Sequence, residues 1–317
     1  MSLRVAVQMD PLESVNPAGD TSFMMIEEAQ ARGHSVSVYG VGDLWYEQGE
    51  VRALARPARV FPGQRPHAAF EPAREIDLRR DADVILMRQD PPFHLGYITA
   101  AHLLERVAEA TLVVNHPAGV RDSPEKILPL MFPDLTPPTL ITRDVERVRA
   151  FRERHGDIVV KPLYGHGGAG VLKLARADGN LEAVVDLFLK QGPEPFIAQA
   201  FLAAVTDGDK RILLVDGQAV GAINRRPPAG AIRSNLVVGG TAEASDLSAR
   251  ERDICAAIGP ELRRRGLLFV GIDVIGGWMT EINVTSPTGA RALKNLSGVD
   301  AVARLWDVIE AQAQTFL

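Results

Sequence analysis

The run Gly165-His166-Gly167-Gly168-Ala169-Gly170 fits the pattern G-x-G-x-x-G, and the residues after it decide what it can build. A dinucleotide-binding unit needs a strand before the glycines and a helix after them, so that pyrophosphate rests on the helix N-terminus. Here Val171-Leu172-Lys173-Leu174-Ala175-Arg176 follows, and its apolar and polar residues alternate at period two. That is a strand pattern. The glycines therefore join two strands, Asp157–Pro162 and Val171–Ala175, as a hairpin flap. A Walker A loop needs Lys-Ser or Lys-Thr after the last glycine, where Val171-Leu172 stands. A protein kinase needs H-R-D and D-F-G downstream, and neither tripeptide occurs. What survives is a flap whose backbone N–H groups can approach phosphate oxygens without side chains in the way. Four glycines in six residues exceed what a plain turn needs. Lys161, just before the flap, offers a compact positive charge to the same phosphates. His166 is expected to face solvent or bond to backbone.

A second signal lies about a hundred residues on. Gly271-Ile272-Asp273-Val274-Ile275 and Met279-Thr280-Glu281-Ile282-Asn283 flank Gly276-Gly277, a hairpin signal. Glu281 and Asn283 are two apart on a strand and share a face. A three-residue loop of Gly276, Gly277 and Trp278 sets Asp273 directly opposite Glu281, whereas a two-residue turn puts it on the other face. The three-residue register is the expectation. Two carboxylates that close repel unless a cation sits between them. Oxygen ligands without His or Cys favour Mg²⁺ or Mn²⁺ over zinc. Such an ion suits phosphate oxygens.

The rest of the chain alternates strand and helix patterns. In the first third, strands at Leu3–Val7, His34–Tyr39, Asp83–Arg88 and Thr111–Asn115 alternate with helices at Thr21–Arg32 and Gly96–Ala108. That order predicts a small parallel sheet with helices on its faces. Arg56–Arg74, rich in Pro and Arg, reads as a loop or an excursion at the sheet edge. Asp122 or Ser123 could cap a helix with Pro124 as its first residue and Lys126 on its first turn. Strands at Thr139–Thr142, Phe196–Gln199, Lys210–Val215, Ala219–Ile223, Leu267–Ile275 and Trp278–Asn283 follow, with helices at Val145–His155, Leu181–Leu189, Ser248–Arg265 and Val302–Ala313. Pro227–Gly240 reads as a loop.

The 317 residues suit two or three subdomains around one cleft. A net charge of −5 argues against a protein built to grip nucleic acid or an anionic membrane. The single cysteine, Cys255, excludes an intrachain disulfide and sits in a helical apolar pattern as a small buried hydrophobe. The N-terminus enters a strand at once, without the features of a signal peptide, and no apolar run approaches a membrane span, so a cytoplasmic location is expected.

With these residues in view, the chain resembles the ATP-grasp superfamily of carboxylate–amine ligases and, within it, the bacterial-type glutathione synthetases. The resemblance covers nearly the whole chain. It runs through Met9-Asp10-Pro11, Ile85–Phe93 with its D-P-P-F string, Leu135-Thr136-Pro137, Lys161-Pro162-Leu163, Asp207–Arg211 and Phe269–Asp273. Its most specific part is Thr280-Glu281-Ile282-Asn283-Val284-Thr285-Ser286-Pro287-Thr288. It implies an α/β (α+β) ATP-grasp fold in three units: an N-terminal substrate domain with a small parallel sheet over 1–121, a lid subdomain with the glycine flap over 122–202, and a C-terminal subdomain with the metal site over 203–317. It implies joining γ-glutamylcysteine and glycine at the expense of ATP, through an acyl phosphate, to give glutathione, ADP and phosphate.

For the site, the resemblance places Lys126, Lys161, Gly165, Gly167 and Gly168 on the phosphates. Gln199, Ala200, Phe201 and Leu202 form the hinge that holds adenine. Asp273, Glu281 and Asn283 bind Mg²⁺ or Mn²⁺. Arg211, Arg225 and Arg233 are the catalytic arginines, steadying charge. Arg225, Arg233, Asn235, Ser286, Pro287 and Thr288 meet the substrate, the first three on or beside a mobile lid over Pro227–Gly240. Arg226 is read as solvated. Tyr164 stands where the family often has an acidic residue, Ala200 where hinges often carry a polar side chain, and Gly289 where some members have a bulkier residue. The partners expected are small molecules, with no nucleic acid and no membrane. A homo-oligomer, a tetramer by resemblance, is also expected, and apolar residues near Trp45 and Tyr46 could serve its interface. The alternatives are another ATP-grasp peptide ligase and a nucleotide-binding scaffold without turnover.

Overall fold

The structure is a computed structural model that describes residues 2–228 and 240–316, so Arg233 and Asn235 lie outside the described residues. The apolar run after Leu3 forms β1 (Arg4–Gln8). Asp20 caps α1 (Thr21–Ala31) by accepting the Phe23 N–H at 2.5 Å. The chain returns as β2 (Ser35–Tyr39), parallel to β1. A ribbon of β3 (Leu44–Glu47), β4 (Glu50–Val60), β5 (Ala68–Phe70) and β6 (Arg74–Asp77) follows, paired antiparallel through β4. Then come β7 (Val84–Met87), α2 (Leu95–Glu105), β8 (Leu112–Val114) and α3 (Pro117–Arg121).

The sheet order is β3-β4-β2-β1-β7-β8, with β2, β1, β7 and β8 parallel. The parallel sheet is thus confirmed, but Arg56–Arg74 is not a plain loop. Residues 56–60 are strand, and β5 and β6 complete the extension. Val51, Ala53 and Ala55 are buried at every second position of β4, and Pro57 sits where the strand changes partners from β6 to β2 and β5. Proline is tolerated in such irregular pairing.

No helix begins at Pro124. Residues 122–127 turn and lead into a short 3-10 helix at Leu128–Met131, while the α-helix nearby, α3, lies before them. Local signals for a helix start yield here to tertiary contacts, because the Glu125 carbonyl accepts the Ile282 N–H at 3.0 Å.

The second sheet contains β9 (Thr139–Thr142), β10 (Ile158–Pro162), β11 (Leu172–Leu174) and β12 (Phe196–Ala200) in the order β11-β10-β12-β9, all antiparallel. Helices α4 (Val145–His155) and α5 (Leu181–Gln191) cover it. They pack Val148, Phe151, Val185 and Phe188 onto Ile158, Val160, Phe196 and Ala198 as a separate core. The third sheet has the order β15-β14-β13-β16-β17, from β13 (Asp209–Val215), β14 (Gln218–Arg226), β15 (Thr241–Ser245), β16 (Phe269–Ile275) and β17 (Trp278–Asn283). It is flanked by α6 (Ala249–Arg264), α7 (Ala290–Ser297) and α8 (Ala301–Ala313). Ser248 and Glu251 cap α6 reciprocally. Cys255 on α6 is buried, and burial pushes its thiol pKa up to about 12, which fits an inert packing residue.

The first and third sheets share their cores. Val5, Val7 and Phe23 belong to one cluster with Leu213, Val215 and Trp306. Trp306 Nε1 donates to the Met25 carbonyl at 3.0 Å. At another contact, a Cβ on Gly119 would lie 2.1 Å from the Arg265 carbonyl oxygen. We expect Gly119→Ala to lower stability by about 1–3 kcal/mol, the usual range for overpacking. A urea melt reads this directly, and an unchanged midpoint would show that the backbone contact yields freely. Among the described residues no helix is long and apolar enough to cross a membrane.

Candidate active site

β10 and β11 pair antiparallel around the flap, as their sequence period predicts. Gly167, Gly168 and Gly170 hold φ values of 62°, 75° and 71°, a region that side chains disfavour. His166 is exposed, and its carbonyl accepts the Ala169 N–H at 3.1 Å.

Opposite the flap stands the β16–β17 hairpin. Asp273 does pair with Glu281, but not through a three-residue loop. Ile275 pairs with Trp278 and Val274 with Met279, so the turn contains only Gly276 and Gly277, at φ 56° and 80°. A bulge then inserts Thr280 and restores Asp273 to the face of Glu281. The Thr280 hydroxyl donates to the Asp273 carbonyl at 3.2 Å.

Flap and hairpin line one cleft of about 370 Å³, together with Gln199–Leu202, Ser286–Thr288 and the loop at Asp90-Pro91. Lys126 donates to the Gly165 carbonyl at 2.6 Å, which ties it to the base of the flap. The Lys126 and Lys161 ammonium groups lie 3.5 and 3.6 Å from the same oxygen of Glu281. Burial lowers the Lys161 pKa, while Glu281 works to raise it.

Asp273 is 5% exposed and receives Arg211 as a fork, with Nε at 2.6 Å and Nη2 at 3.1 Å. Arg225 reaches it at 2.9 Å and also meets Asp209 at 2.7 Å. Burial pushes the Asp273 pKa up, but Arg211 and Arg225 outweigh it and hold the carboxyl well below the usual range. Burial likewise opposes the charge on Arg225, and Asp273 and Asp209 raise its pKa regardless. Arg211 Nη1 also donates to the Thr288 carbonyl at 3.2 Å. Arg226 is exposed and pairs with Glu243 at 2.7 Å, a solvated pair as expected.

Asn283 donates its amide nitrogen to the Gly271 carbonyl at 3.0 Å. Its amide oxygen is therefore what it can offer a cation. With Asp273 and Glu281 this makes a set of hard oxygen donors, which fits Mg²⁺ or Mn²⁺.

In the hinge, the Gln199 side chain donates to Thr139 Oγ1 at 2.9 Å. The Ala200 and Phe201 N–H groups bond to the Pro138 and Asp157 carbonyls at 3.0 and 2.9 Å. The Leu202 N–H makes no hydrogen bond among the described residues, so it is the hinge donor open to a base.

Sequence reasoning missed three acidic residues that line this cleft: Asp90, Glu125 and Asp209. Asp90 and Asp209 lie within strings that carried the resemblance. Glu125 was hidden by the misread helix start. It accepts the Thr285 hydroxyl at 2.7 Å, and burial raises its pKa. Tyr164, the departure before the flap, stacks on Phe93 of the first unit at 6.3 Å between centroids.

The family model for the prokaryotic glutathione synthetase N-terminal domain matches residues 3–121, and that for its ATP-grasp domain matches 125–298. The chain belongs to the prokaryotic glutathione synthetase family. It is 53% identical to the glutathione synthetase of Rhodopseudomonas palustris over 98% of this chain and 99% of the relative. The glutathione synthetase of Escherichia coli O157:H7 is 41% identical, with 98% and 99% covered. Among solved structures, the D-cycloserine synthetase DcsG superposes at a TM-score of 0.69, with 17% identity and 99% and 100% of the two chains covered. The ATP-grasp ligase PsnB, in its complex with a precursor variant, Mg and ADP, superposes at 0.63, with 20% identity and 98% of each chain covered. These two likenesses bear on the fold, which is ATP-grasp. The chain is accordingly an ATP-dependent ligase of glutathione synthesis, in a class that uses ATP with a divalent cation.

Proposed function

We propose that this cleft joins γ-glutamylcysteine to glycine in two steps, with each residue below in a stated role. The cysteinyl carboxylate attacks the γ-phosphorus of ATP, the bond to ADP breaks, and an acyl phosphate forms. The glycine amine then attacks the acyl carbon, phosphate leaves, and the amine gives up a proton. Lys126, Lys161 and the N–H groups at Gly165, Gly167 and Gly168 hold the phosphates. The segment Gln199–Leu202 holds adenine, with the Leu202 N–H as the open donor.

Mg²⁺ or Mn²⁺, held by Asp273, Glu281 and Asn283, would supply positive charge against phosphate oxygens. Arg211 and Arg225 keep Asp273 ionised and place guanidinium charge beside the transferring group. Ser286, Pro287 and Thr288 line the peptide or glycine end. Arg233 and Asn235 are assigned to the substrate carboxylates on the resemblance alone. The units 1–121, 122–202 and 203–317 are proposed as the three parts that surround the cleft. A homo-oligomer, with a tetramer as the specific state, is proposed on the resemblance and on the exposed Tyr46 and Leu54 of the β3–β4 ribbon.

The observation that carries this reading is the approach of two lysines, one at the base of the flap, to a carboxylate of the opposing hairpin. Cations gathered beside a carboxylate suit a phosphate, and a divalent ion held by that carboxylate would add positive charge there. An acyl phosphate needs shelter from water, and a flap over a buried charge network provides it. The test is ADP release with γ-glutamylcysteine, with and without glycine. We expect sustained release only with both, and a tripeptide product in equal amount. Equal turnover with unrelated acid and amine pairs would favour a peptide ligase of broader choice, and no turnover with any pair would favour a scaffold.

A further inference from the structure

The last strand of the third sheet, β17, is an edge. It pairs with β16 on one side, and no strand among the described residues flanks the other. Every second N–H of an edge strand points outward and needs an acceptor from elsewhere. Here one residue, Glu125, supplies those acceptors around Asn283. Its carbonyl accepts the Ile282 N–H at 3.0 Å. Its carboxylate takes over where the strand ends: Oε1 accepts the Thr285 hydroxyl at 2.7 Å and the Val284 and Thr285 N–H groups at 3.3 and 3.4 Å. Main chain and side chain of Glu125 thus hold the chain on both sides of Asn283, a residue assigned to the cation.

The segment that follows, Ser286, Pro287 and Thr288, lines the acceptor end of the cleft. Its carbonyls are fixed by several side chains. Asn115 Nδ2 donates to the Val284 carbonyl at 2.8 Å, Arg88 Nη2 to that of Pro287 at 3.1 Å, and Arg211 Nη1 to that of Thr288 at 3.2 Å. The N–H groups of Val284 and Thr285 have Glu125 as their one acceptor among the described residues. Val284 is fully buried and Thr285 is 4% exposed, so water is poorly placed to replace a lost acceptor there.

The next residue shows why this hold can act on one end of the cleft only. Lys126 keeps its own bond to the Gly165 carbonyl at 2.6 Å, and the Glu125 carbonyl keeps Ile282 whatever its side chain does. The phosphate end is therefore anchored by main chain and by Lys126, and the acceptor end by the Glu125 carboxylate.

We propose that Glu125 is a positioning residue for the acceptor: its carboxylate sets where Ser286, Pro287 and Thr288 stand relative to the cation ligands, and thereby how the acid and the amine are presented to each other. It acts through that segment and touches no reacting atom. A shift of about 1 Å in such a segment is enough to lower ligation about 10²-fold. The inference rests on the acceptor reading given above.

The experiment compares full-length wild type, Glu125→Gln and Glu125→Ala. Glutamine can present an oxygen in the place of Oε1 and keeps the hold through weaker, neutral bonds, whereas alanine removes it. In Glu125→Ala, kcat/KM for γ-glutamylcysteine and for glycine should fall about 10²-fold while KM for ATP stays within about threefold. Glu125→Gln should recover about tenfold of that loss, since bonds to a neutral oxygen keep roughly half the strength. Amide hydrogen exchange supplies a readout that needs no acceptor: residues 282–288 should exchange faster in Glu125→Ala than in Glu125→Gln, with the flap unchanged in both. Near-wild-type ligation by Glu125→Ala, or an equal loss of ATP binding, would overturn the proposal. Glu125→Gln as inactive as Glu125→Ala, with residues 282–288 still protected, would overturn it too and assign the charge itself to the reaction. Should Glu125→Ala fail to fold, Thr285→Val removes the shortest of the three bonds; it should raise KM for the acceptor and not for ATP, and Thr285→Ser should restore it, while equal behaviour of the two variants would count against the hold. Failure of the wild type to turn over γ-glutamylcysteine and glycine would instead remove the acceptor reading, and the exchange measurement would still judge the hold on residues 282–288.

Discussion

Glu281→Gln is expected to reduce ligation by roughly 10²–10³-fold or more, the scale of losing one charged group that acts on the transferring phosphoryl. The reason lies in the number of tasks this carboxylate performs. It faces Asp273 across the hairpin and offers hard oxygen to a divalent cation. It also lies near two ammonium groups, at 3.5 and 3.6 Å. Glutamine keeps the shape and one carbonyl oxygen but removes the charge that balances both lysines and any cation. The side chain is partly exposed, so folding should survive. Circular dichroism and a thermal melt check that, and coupled ADP release reads the activity. Calorimetric titration of ATP with and without Mg²⁺ adds a readout independent of turnover: the variant should lose most of the Mg²⁺-dependent gain in affinity. Near-full ligation at saturating Mg²⁺ would contradict the assignment.

What could be read in the sequence, and what could not, divides along a physical line. The flap was legible because the residues that follow the last glycine, from Val171, alternate at period two, a local property. The helix Val145–His155 was legible for the same reason. The position of Asp273 was reached by an incorrect route. The two glycines make the two-residue turn that their φ values permit, and Thr280 makes a bulge that no local pattern announces. The outcome agreed because a bulged two-residue turn and a three-residue loop shift the register by the same single residue.

The strand β4 was masked by its own composition. Pro57 and the arginines suggest a loop, while the small residues Val51, Ala53 and Ala55 carry a weak period-two signal. At Pro124 the local helix signals were real, but Glu125 is engaged by the Ile282 N–H and the Thr285 hydroxyl, contacts more than 150 residues away in sequence. The short helix α7, set between Gly289 and Gly298 at φ 109° and 76°, was passed over because eight residues carry too little periodicity. Among the site residues, those on strands were placed by pairing logic. Asp90 and Glu125 sit on connecting segments, where only the tertiary fold decides what they face.

Asp273→Asn should be the most destabilising change in the site, at about 3–5 kcal/mol, because it leaves buried guanidinium charge without its partner. Arg211 is 7% exposed and has no other carboxylate among its partners in the described residues, while Arg225 retains Asp209. Arg211 therefore bears most of the loss, and the asparagine amide can return only one weaker acceptor. The pH dependence of the difference identifies the cause. Asp273 is depressed in the folded protein, so its contribution is fully present above the unfolded carboxyl pKa of about 3.9 and fades as pH falls toward the folded value. Urea melts should thus show a constant gap between wild type and variant from neutral pH down to roughly pH 4–5, narrowing below that. Other acidic residues titrate in both proteins and cancel in the difference. A gap that stays constant down to the acid limit would assign the loss to packing, and a gap under about 1 kcal/mol would mean that water reaches the guanidinium groups.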